Sequence, residues 1–546
     1  MRNNTPVPVS RLPSELLSYS FRLNPDFCYT SRLRKAIAIT HVCRRWREIA
    51  CADPALWNHV LFELGEEWFE EMLRRAKNVP LVIHYHAESI PSKSPFQHSI
   101  RLDTYLGRVR KLYVSAKTPV MSHVLSVVHS QSAPRLEELN LEHTNPGLGN
   151  RGFLRLPSPS FLGNAPRLRI LQLTSIGVSW EPIAFNTLEE LTINLTLPFF
   201  LSERPSVDQL ASFLRCLPCL KELFLLCCLP DEVRRGISPN PVQLSQLKHL
   251  TIDGSTVSEF SNFLDVVRIP PVCRRYVACH SEYADLSNSL FDPATIASRL
   301  YSTLPNARDL DPIDSFSVTV SRYPGELVIS YEGWYKTTRP VPLPDGCDDS
   351  LFGLRLYLED DVEIEVIRSV LHALCPPYIR ALELYLGYLE RDWRWETFAG
   401  RYASISRLKL TVMDENIPFL LDALAWRTNR MDQGSGASQG PDVSQGPDTS
   451  LRLPSAPSFL PNLSVLSVVI KGSDWSVDQW SDEDWPTMGW TLLSALSYRK
   501  ECGSAIRKLS IWDWERAEEG LLERLQDVVE QLDFLPLHIV PVHARR

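Results

Sequence analysis

Cys216, Cys219, Cys227 and Cys228 are the side chains best suited to metal chemistry, because a CxxC pair offers two thiolates to one ion. The second pair breaks that spacing. Cys227 and Cys228 are adjacent, and Leu223, Leu225 and Cys227 alternate as the inward face of a strand would, so burial accounts for the cysteines better than zinc does. His84 and His86 share one face of LVIHYH, yet no third ligand stands nearby. The acidic run from Glu359 to Glu365 opens a helical stripe, where negative side chains complement the helix dipole, and that reading is preferred to cation chelation. Trp475, Trp480 and Trp485 recur within DWSVDQWSDEDW at a spacing that fits no single helical face. They read first as an aromatic cap packed on the end of the fold, and second as an anchor for a basic partner. No phosphate-cradling glycine loop, G-x-S-x-G elbow or HExxH helix occurs. Binding, and not catalysis, is the expected activity, with no metal or cofactor.

The 546 residues are enough for several ordinary domains or one long repeat array. A formal net charge of −8, with no long basic run, argues against a general nucleic-acid-binding surface. No stretch of eighteen apolar residues is present, and MRNNTPVPVS lacks the hydrophobic core of a signal peptide, so no membrane association is expected. Twelve cysteines without framework spacing fit reduced thiols, which places the chain inside the cell, in cytoplasm and/or nucleus.

One short phrase recurs: an apolar residue, two others, a leucine, one other and a final apolar residue. Its leading residues are Val109, Leu136, Leu168, Leu188, Leu220, Leu247, Ile379, Ile405, Leu463 and Ile506, as in LEELNL, LRILQL, LKELFL and IRKLSI. Pro134, Pro166, Pro218, Pro377 and Pro461 each stand two residues before a lead residue, where proline stops a preceding helix and tolerates only the first strand position. The phrase resembles the strand signature of leucine-rich repeats, and its early spacings of roughly 20 to 32 residues are close to one repeat unit. The shortest, from Leu168 to Leu188, implies a unit without its helix.

Between Leu247 and Ile379 the units must diverge. SFSVTVS and GELVISYEG alternate like strands around the turn residues Pro324 and Gly325, which predicts a hairpin insertion. Val362, Val366, Ile367, Val370, Leu371 and Leu374 then form a helical stripe. Asn429 to Ser450, rich in Gly, Ser, Gln and Asp, is expected to be a disordered insertion. Leu521, Leu522, Leu525, Val528, Val529 and Leu532 make a last amphipathic helix suited to closing the array. By resemblance to leucine-rich repeats, residues between the buried strand positions face the side where such proteins bind a target. These include Glu138, Asn140, Glu190, Glu222, Phe224, His249, Tyr385, Arg407 and Trp512. Their mixed charge suits a protein surface.

The N-terminal stretch has a different pattern. Pro13 fits a first helical turn, with Leu16, Leu17 and Phe21 behind it as an apolar face. Ile39, Val42, Cys43, Trp46, Ile49 and Ala50 follow as one continuous stripe of a second helix. Asp53 and Pro54 read as the cap and first-turn proline of a third short helix carrying Leu56, Trp57 and Val60. The ordered set LPSELL, VCRRW and DPALW resembles the F-box domain, a helical module that docks substrate receptors onto cullin-type ubiquitin ligases through a small adaptor protein. The likeness covers about fifty residues and is similar in style to irregular leucine-rich F-box proteins of mushroom-forming fungi. It implies that Leu12, Pro13, Leu16, Leu17, Phe21 and Val42 meet the adaptor and, through it, a cullin, while Trp46 and Trp57 hold the module together. Ser20 stands where that family usually carries a bulky aliphatic residue, and Asn24 to Lys35 reads as a long first loop.

The expected fold is thus α/β: a flexible segment 1–9, a three-helix F-box-like domain over 10–62, and an irregular leucine-rich-repeat solenoid over 63–546 interrupted by 429–450. The expected function is substrate recognition for a cullin-based ligase, with an unknown protein as target. The alternative is a leucine-rich-repeat interaction scaffold not coupled to ubiquitination.

Overall fold

Successive copies of the repeated phrase become neighbouring parallel strands. A computed structural model describes residues 8–23, 29–62, 64–90, 101–144, 154–156, 165–182, 186–195, 204–230, 240–270, 273–280, 313–323, 326–335, 352–358, 379–386, 402–413, 460–471, 484–512 and 519–535. The chain is mixed α/β with parallel sheets and divides into two compact units, Met1–Cys273 and Arg274–Arg546.

In the first unit, strands β1 (His59–Leu61), β2 (Leu81–His86), β3 (Val109–Ala116), β4 (Glu138–His143), β5 (Ile170–Thr174), β6 (Glu190–Asn194) and β7 (Glu222–Leu226) pair in parallel, each with the next in chain order. The two-residue β8 (Val242–Gln243) lies apart, and β9 (His249–Thr256) adds to β7. Register keeps like positions together. Leu112, Leu139, Leu171, Leu191, Leu223 and Leu250 form one buried row, and Val114, Leu141, Leu173, Ile193, Leu225 and Ile252 form the next. Burying a row of Leu side chains contributes about 2 kcal/mol per residue.

Before each strand the chain turns tightly: Leu136, Leu168, Leu220, Leu247, Ile405 and Leu463 each donate their N–H to the carbonyl three residues back. Pro134, Pro166, Pro218 and Pro461 therefore sit at the second position of a turn, where their fixed φ is an advantage, and not at a first strand position. Between β5 and β6 no helix occurs among the described residues, in keeping with the short spacing there.

The N-terminal helices differ from the sequence reading. After α1 (Ser14–Arg22), α2 begins at Tyr29 and ends at Val42, which shortens the expected loop, and α3 (Arg44–Ala52) is a separate helix. Cys43 is extended between them (φ −159°, ψ 168°), and its Sγ accepts the Trp46 N–H at 3.5 Å, capping α3. Arg47 Nε donates to the α2 carbonyl of Thr40 at 2.8 Å, so one backbone group at each side of the break is satisfied. The third helix is a single 3-10 turn, Pro54–Leu56, capped by Asp53; Val60 belongs to β1.

Further helices connect the strands: α4 (Glu66–Ala76), the short α5 (Leu102–Tyr105), α6 (Thr118–Ser130) and α7 (Val207–Arg215). α8 (Val257–Val266) follows β9 and leads into the two-residue β10 (Val267–Arg268), which pairs with β8. Both α7 and α8 start with a capping box, Ser206 with Gln209 and Thr256 with Glu259.

The second unit holds β11 (Arg274–His280), β12 (Ile313–Tyr323), β13 (Glu326–Tyr335), β14 (Phe352–Leu358), β15 (Ala381–Leu386), β16 (Arg407–Met413), β17 (Val465–Lys471), β18 (Lys508–Trp512) and β19 (Gln531–Leu535). The expected hairpin is present: β12 and β13 pair antiparallel from Tyr323 opposite Glu326 outward. β14 is antiparallel to β13 and parallel to β11, while β12 and β15 to β19 stack in parallel. α9 (Asp484–Glu501) and α10 (Glu519–Val528) lie between the last strands in sequence. Leu532 is in β19, so α10 is followed by a strand and is not the closing element. Glu359–Glu365 and the stripe to Leu374, Pro324, Gly325, Pro377, Asn429–Ser450, Trp475 and Trp480 lie outside the described residues. Trp485 begins within α9.

Gly254 has φ +66°, and a Cβ there would meet Cys227 Sγ at 2.1 Å. Gly254→Ala should lower unfolding stability by roughly 2–4 kcal/mol, read as a lower urea midpoint. Gly503→Ala, also at positive φ but with nothing within 4 Å, should cost only about 1 kcal/mol.

Candidate functional site

α1 sorts its residues onto three sides. Leu17 and Phe21 face inward: Leu17 is 1% exposed, and the Phe21 ring lies 4.9 Å from that of Trp46. Ser18 and Arg22 reach Asp53, whose Oδ2 accepts from Ser18 Oγ at 2.5 Å and Arg22 Nε at 2.7 Å, and whose Oδ1 accepts from Arg22 Nη2 at 2.8 Å. Burial opposes ionisation of Asp53, but these bonds and the Ala55 N–H outweigh it and hold the carboxyl below its ordinary value. The third side carries Leu16 and Tyr19, 51% and 59% exposed, and Leu23, which caps α1, is 62% exposed.

Val42, at the end of α2, is 59% exposed, and Val9 is also exposed. Arg45 Nη2 donates to the Leu12 carbonyl at 2.5 Å, tying α3 to the segment that enters α1. Of the residues assigned to the adaptor by resemblance, Pro13, Leu16 and Val42 are exposed, and Leu12 and Phe21 are half-buried. Leu17 belongs to the interior, because it lies about 100° around the helix from Leu16, so it is withdrawn from the exposed set. Tyr19, Leu23 and Val9 join that set. The i, i+3, i+7 spacing of Leu16, Tyr19 and Leu23 was the available signal.

The second candidate surface is one face of the first unit's sheet. In register across it run Lys111, Glu138, Ile170, Glu190, Glu222 and His249, and beside them Tyr113, Asn140, Gln172, Thr192, Phe224 and Thr251. Glu138, Asn140, Glu190, Glu222, Phe224 and His249 are therefore brought together as the sequence implied. A hydrogen-bonded ladder links the rows: Tyr113 Oη and Lys111 Nζ each reach Glu138 at 2.5 Å, Asn140 Nδ2 donates to Gln172 at 2.6 Å, and Gln172 Nε2 donates to Glu190 at 2.5 Å. Burial and the bond to Glu138 push the Tyr113 phenol up.

His84 stacks on Tyr113 at 4.5 Å with ring planes 2° apart, and on His59 at 5.8 Å. Its place in register with Tyr113 was legible once LVIHYH is aligned to VRKLYV. Tyr385 and Arg407 lie on β15 and β16 of the second unit, Tyr385 half-buried and Arg407 exposed. Trp512 is in β18, and its side chain lies outside the described residues.

The cysteines separate by environment. Cys228 is buried and its thiol is pushed well up by burial, whereas Cys227, at φ 54°, is only half-buried. The inward alternation predicted to include Cys227 ends at Leu226, and the left-handed residue hands the buried position to Cys228. Among the described residues, no group of three or more His, Cys, Asp or Glu is placed to hold a metal ion. No helix among them is long and apolar enough to cross a membrane. Compared with protein-family models and with curated proteins, the chain matches none.

Burial, with His86 and Lys111 adding charge, lowers His84 to about 4. The folded ring therefore stays neutral while the unfolded ring takes a proton near its ordinary 6.5. Stability should be highest above that value and fall as pH drops from 6.5 toward 4, by roughly 2–3 kcal/mol from this group. His84→Phe should flatten that part of the profile in urea melts at pH 7, 5.5 and 4.5. An unchanged slope would show that His84 does not carry it.

Proposed function

We propose that this chain is the substrate-recognition subunit of a cullin-based ubiquitin ligase. In this reading the N-terminal helices form an F-box that binds the adaptor and, through it, a cullin. The parallel strands stacked in chain order belong to an irregular leucine-rich-repeat solenoid, whose half-buried polar face binds a target protein. It would work in cytoplasm and/or nucleus and perform no covalent chemistry itself.

The observation that carries the reading is the outward side of α1. Leu16, Tyr19 and Leu23 line up on a helix whose other two sides are engaged by Trp46 and Asp53, and Val42 is exposed at the end of the next helix. Large apolar side chains grouped on one exposed helix side mark an interaction surface. The scaffold reading draws on Ser20, which lies one turn after Leu16, on the side away from Tyr19, and turns its Oγ back to the Leu16 carbonyl at 2.7 Å. That puts a polar border on the apolar surface.

Co-expression of the full chain with the adaptor separates the two. The intact chain should retain adaptor through purification. Leu16→Asp combined with Val42→Asp should reduce retention at least tenfold, since each buried apolar side chain contributes about 1.5–3 kcal/mol, while the unfolding midpoint stays unchanged. A folded wild-type chain that retains no adaptor would end the ligase reading and leave the scaffold.

A further inference from the structure

Two facing carboxylates on the first unit's sheet have no ion-pair partner among the described residues. Glu190 on β6 and Glu222 on β7 are register partners, so their backbones lie about 4.8 Å apart on adjacent strands. Like charges placed directly opposite destabilise a sheet. Three other strand carboxylates among the described residues are paired across strands: Glu138 with Lys111 at 2.5 Å, Glu383 with Lys409 at 2.6 Å, and Asp533 with Lys508 at 2.7 Å. The row just before these strands is also balanced, with Glu189 held by Arg169 at 2.5 Å and Lys221 at 2.8 Å. Among the described residues neither Glu190 nor Glu222 forms an ion pair; Glu190 accepts only the uncharged amide of Gln172. Burial, then the charges of Glu222 and Glu138, pushes the Glu190 carboxyl above its ordinary value.

Phe224, half-buried, is two residues beyond Glu222 on the same strand face. We propose that Glu190 and Glu222, with Phe224 beside them, bind an arginine side chain carried by an extended segment of the target protein. The proposal rests on the sheet face being the target surface. A guanidinium is planar and weakly hydrated; its fork of N–H donors spans two carboxylates, and its flat side stacks on an aromatic ring. A bare divalent cation is a poorer fit, because hard cations take six or more oxygen ligands and two carboxylates supply too few. Polyanions are repelled. The adjoining amides of Asn140 and Gln172 border the pair on one side, and Thr251 and His249 on the other.

A random heptapeptide display library panned against the full-length protein tests this. Recovered peptides should share an arginine at one position. Binding of such a peptide should weaken at least tenfold when that arginine is replaced by citrulline, and likewise in the Glu190→Gln, Glu222→Gln double variant. The free Glu222→Gln protein should unfold at a higher temperature than wild type, because a repulsion is removed; a lower midpoint would overturn the proposal. So would recovery of peptides without arginine, no recovery at all, or affinity unchanged in the double variant. If peptides lacking arginine are recovered and lost on Phe224→Ala, the face binds targets but not through arginine. Adaptor retention is read separately, so ligase coupling and arginine recognition stand or fall apart.

Discussion

The backbone ladder between consecutive phrases is the constraint on which the rest depends. Just ahead of each strand, the N–H groups of Glu137, Arg169, Glu189, Lys221 and Lys248 bond to Arg110, Glu137, Arg169, Glu189 and Lys221 carbonyls respectively, at 2.7–2.8 Å. The same step recurs through Arg380, Ser406, Ser464, Arg507 and Gln531. Once these bonds fix register, a given position of the phrase can only lie beside the same position of its neighbours. A slip of one residue would turn Leu139, Leu171 and Leu191 outward together, so the leucine rows and the ladder enforce each other.

That mutual enforcement also determines the chemistry of the opposite face. Residues two apart along a strand form separate rows, so charge and hydrogen bonding are decided across strands rather than along them. Tyr113 bonds to Glu138, and Asn140, Gln172 and Glu190 bond in series, although these residues are scattered over dozens of positions. The cost is rigidity of placement: a glutamate in the phrase cannot avoid a glutamate at the same position of the next phrase. Balanced rows and the unbalanced Glu190–Glu222 pair arise from the same rule.

How much was legible in the sequence follows from this. A phrase whose leucines all play the same part announces itself by repetition, and the lead residues and their strands were readable. What was not readable depended on single residues acting against the pattern. Cys43 breaks an unbroken apolar stripe by adopting an extended backbone and capping the following helix through sulfur, which no hydrophobic period can signal. Cys227 leaves the inward row through a left-handed φ in a residue type that rarely adopts it. On α1, Leu16 and Leu17 look alike in composition but point to different environments, and only the partners of Ser18, Phe21 and Arg22 decide which leucine is inside.

The N-terminal helices and the sheet are joined more closely than a division into domain and tail suggests. Trp57 is buried with its indole N–H on the Ala50 carbonyl at 2.8 Å, and Arg75 of α4 lies over its ring at 4.2 Å. One residue on, the Asn58 carbonyl accepts the Val82 N–H at 2.9 Å, and β1 pairs with β2. Only Trp57 and Asn58 thus separate the helical segment from the first strand. A module this small buries too little surface to be stable alone, and the sheet supplies what it lacks. For the proposed receptor this has a mechanical consequence: whatever docks on α1 is held at a fixed position relative to the first strands of the sheet, with no linker to absorb error. Presentation of a bound target would then depend on the stiffness of the strands from β1 to β7, which is set by the same in-register leucines that fix the opposite, proposed binding face.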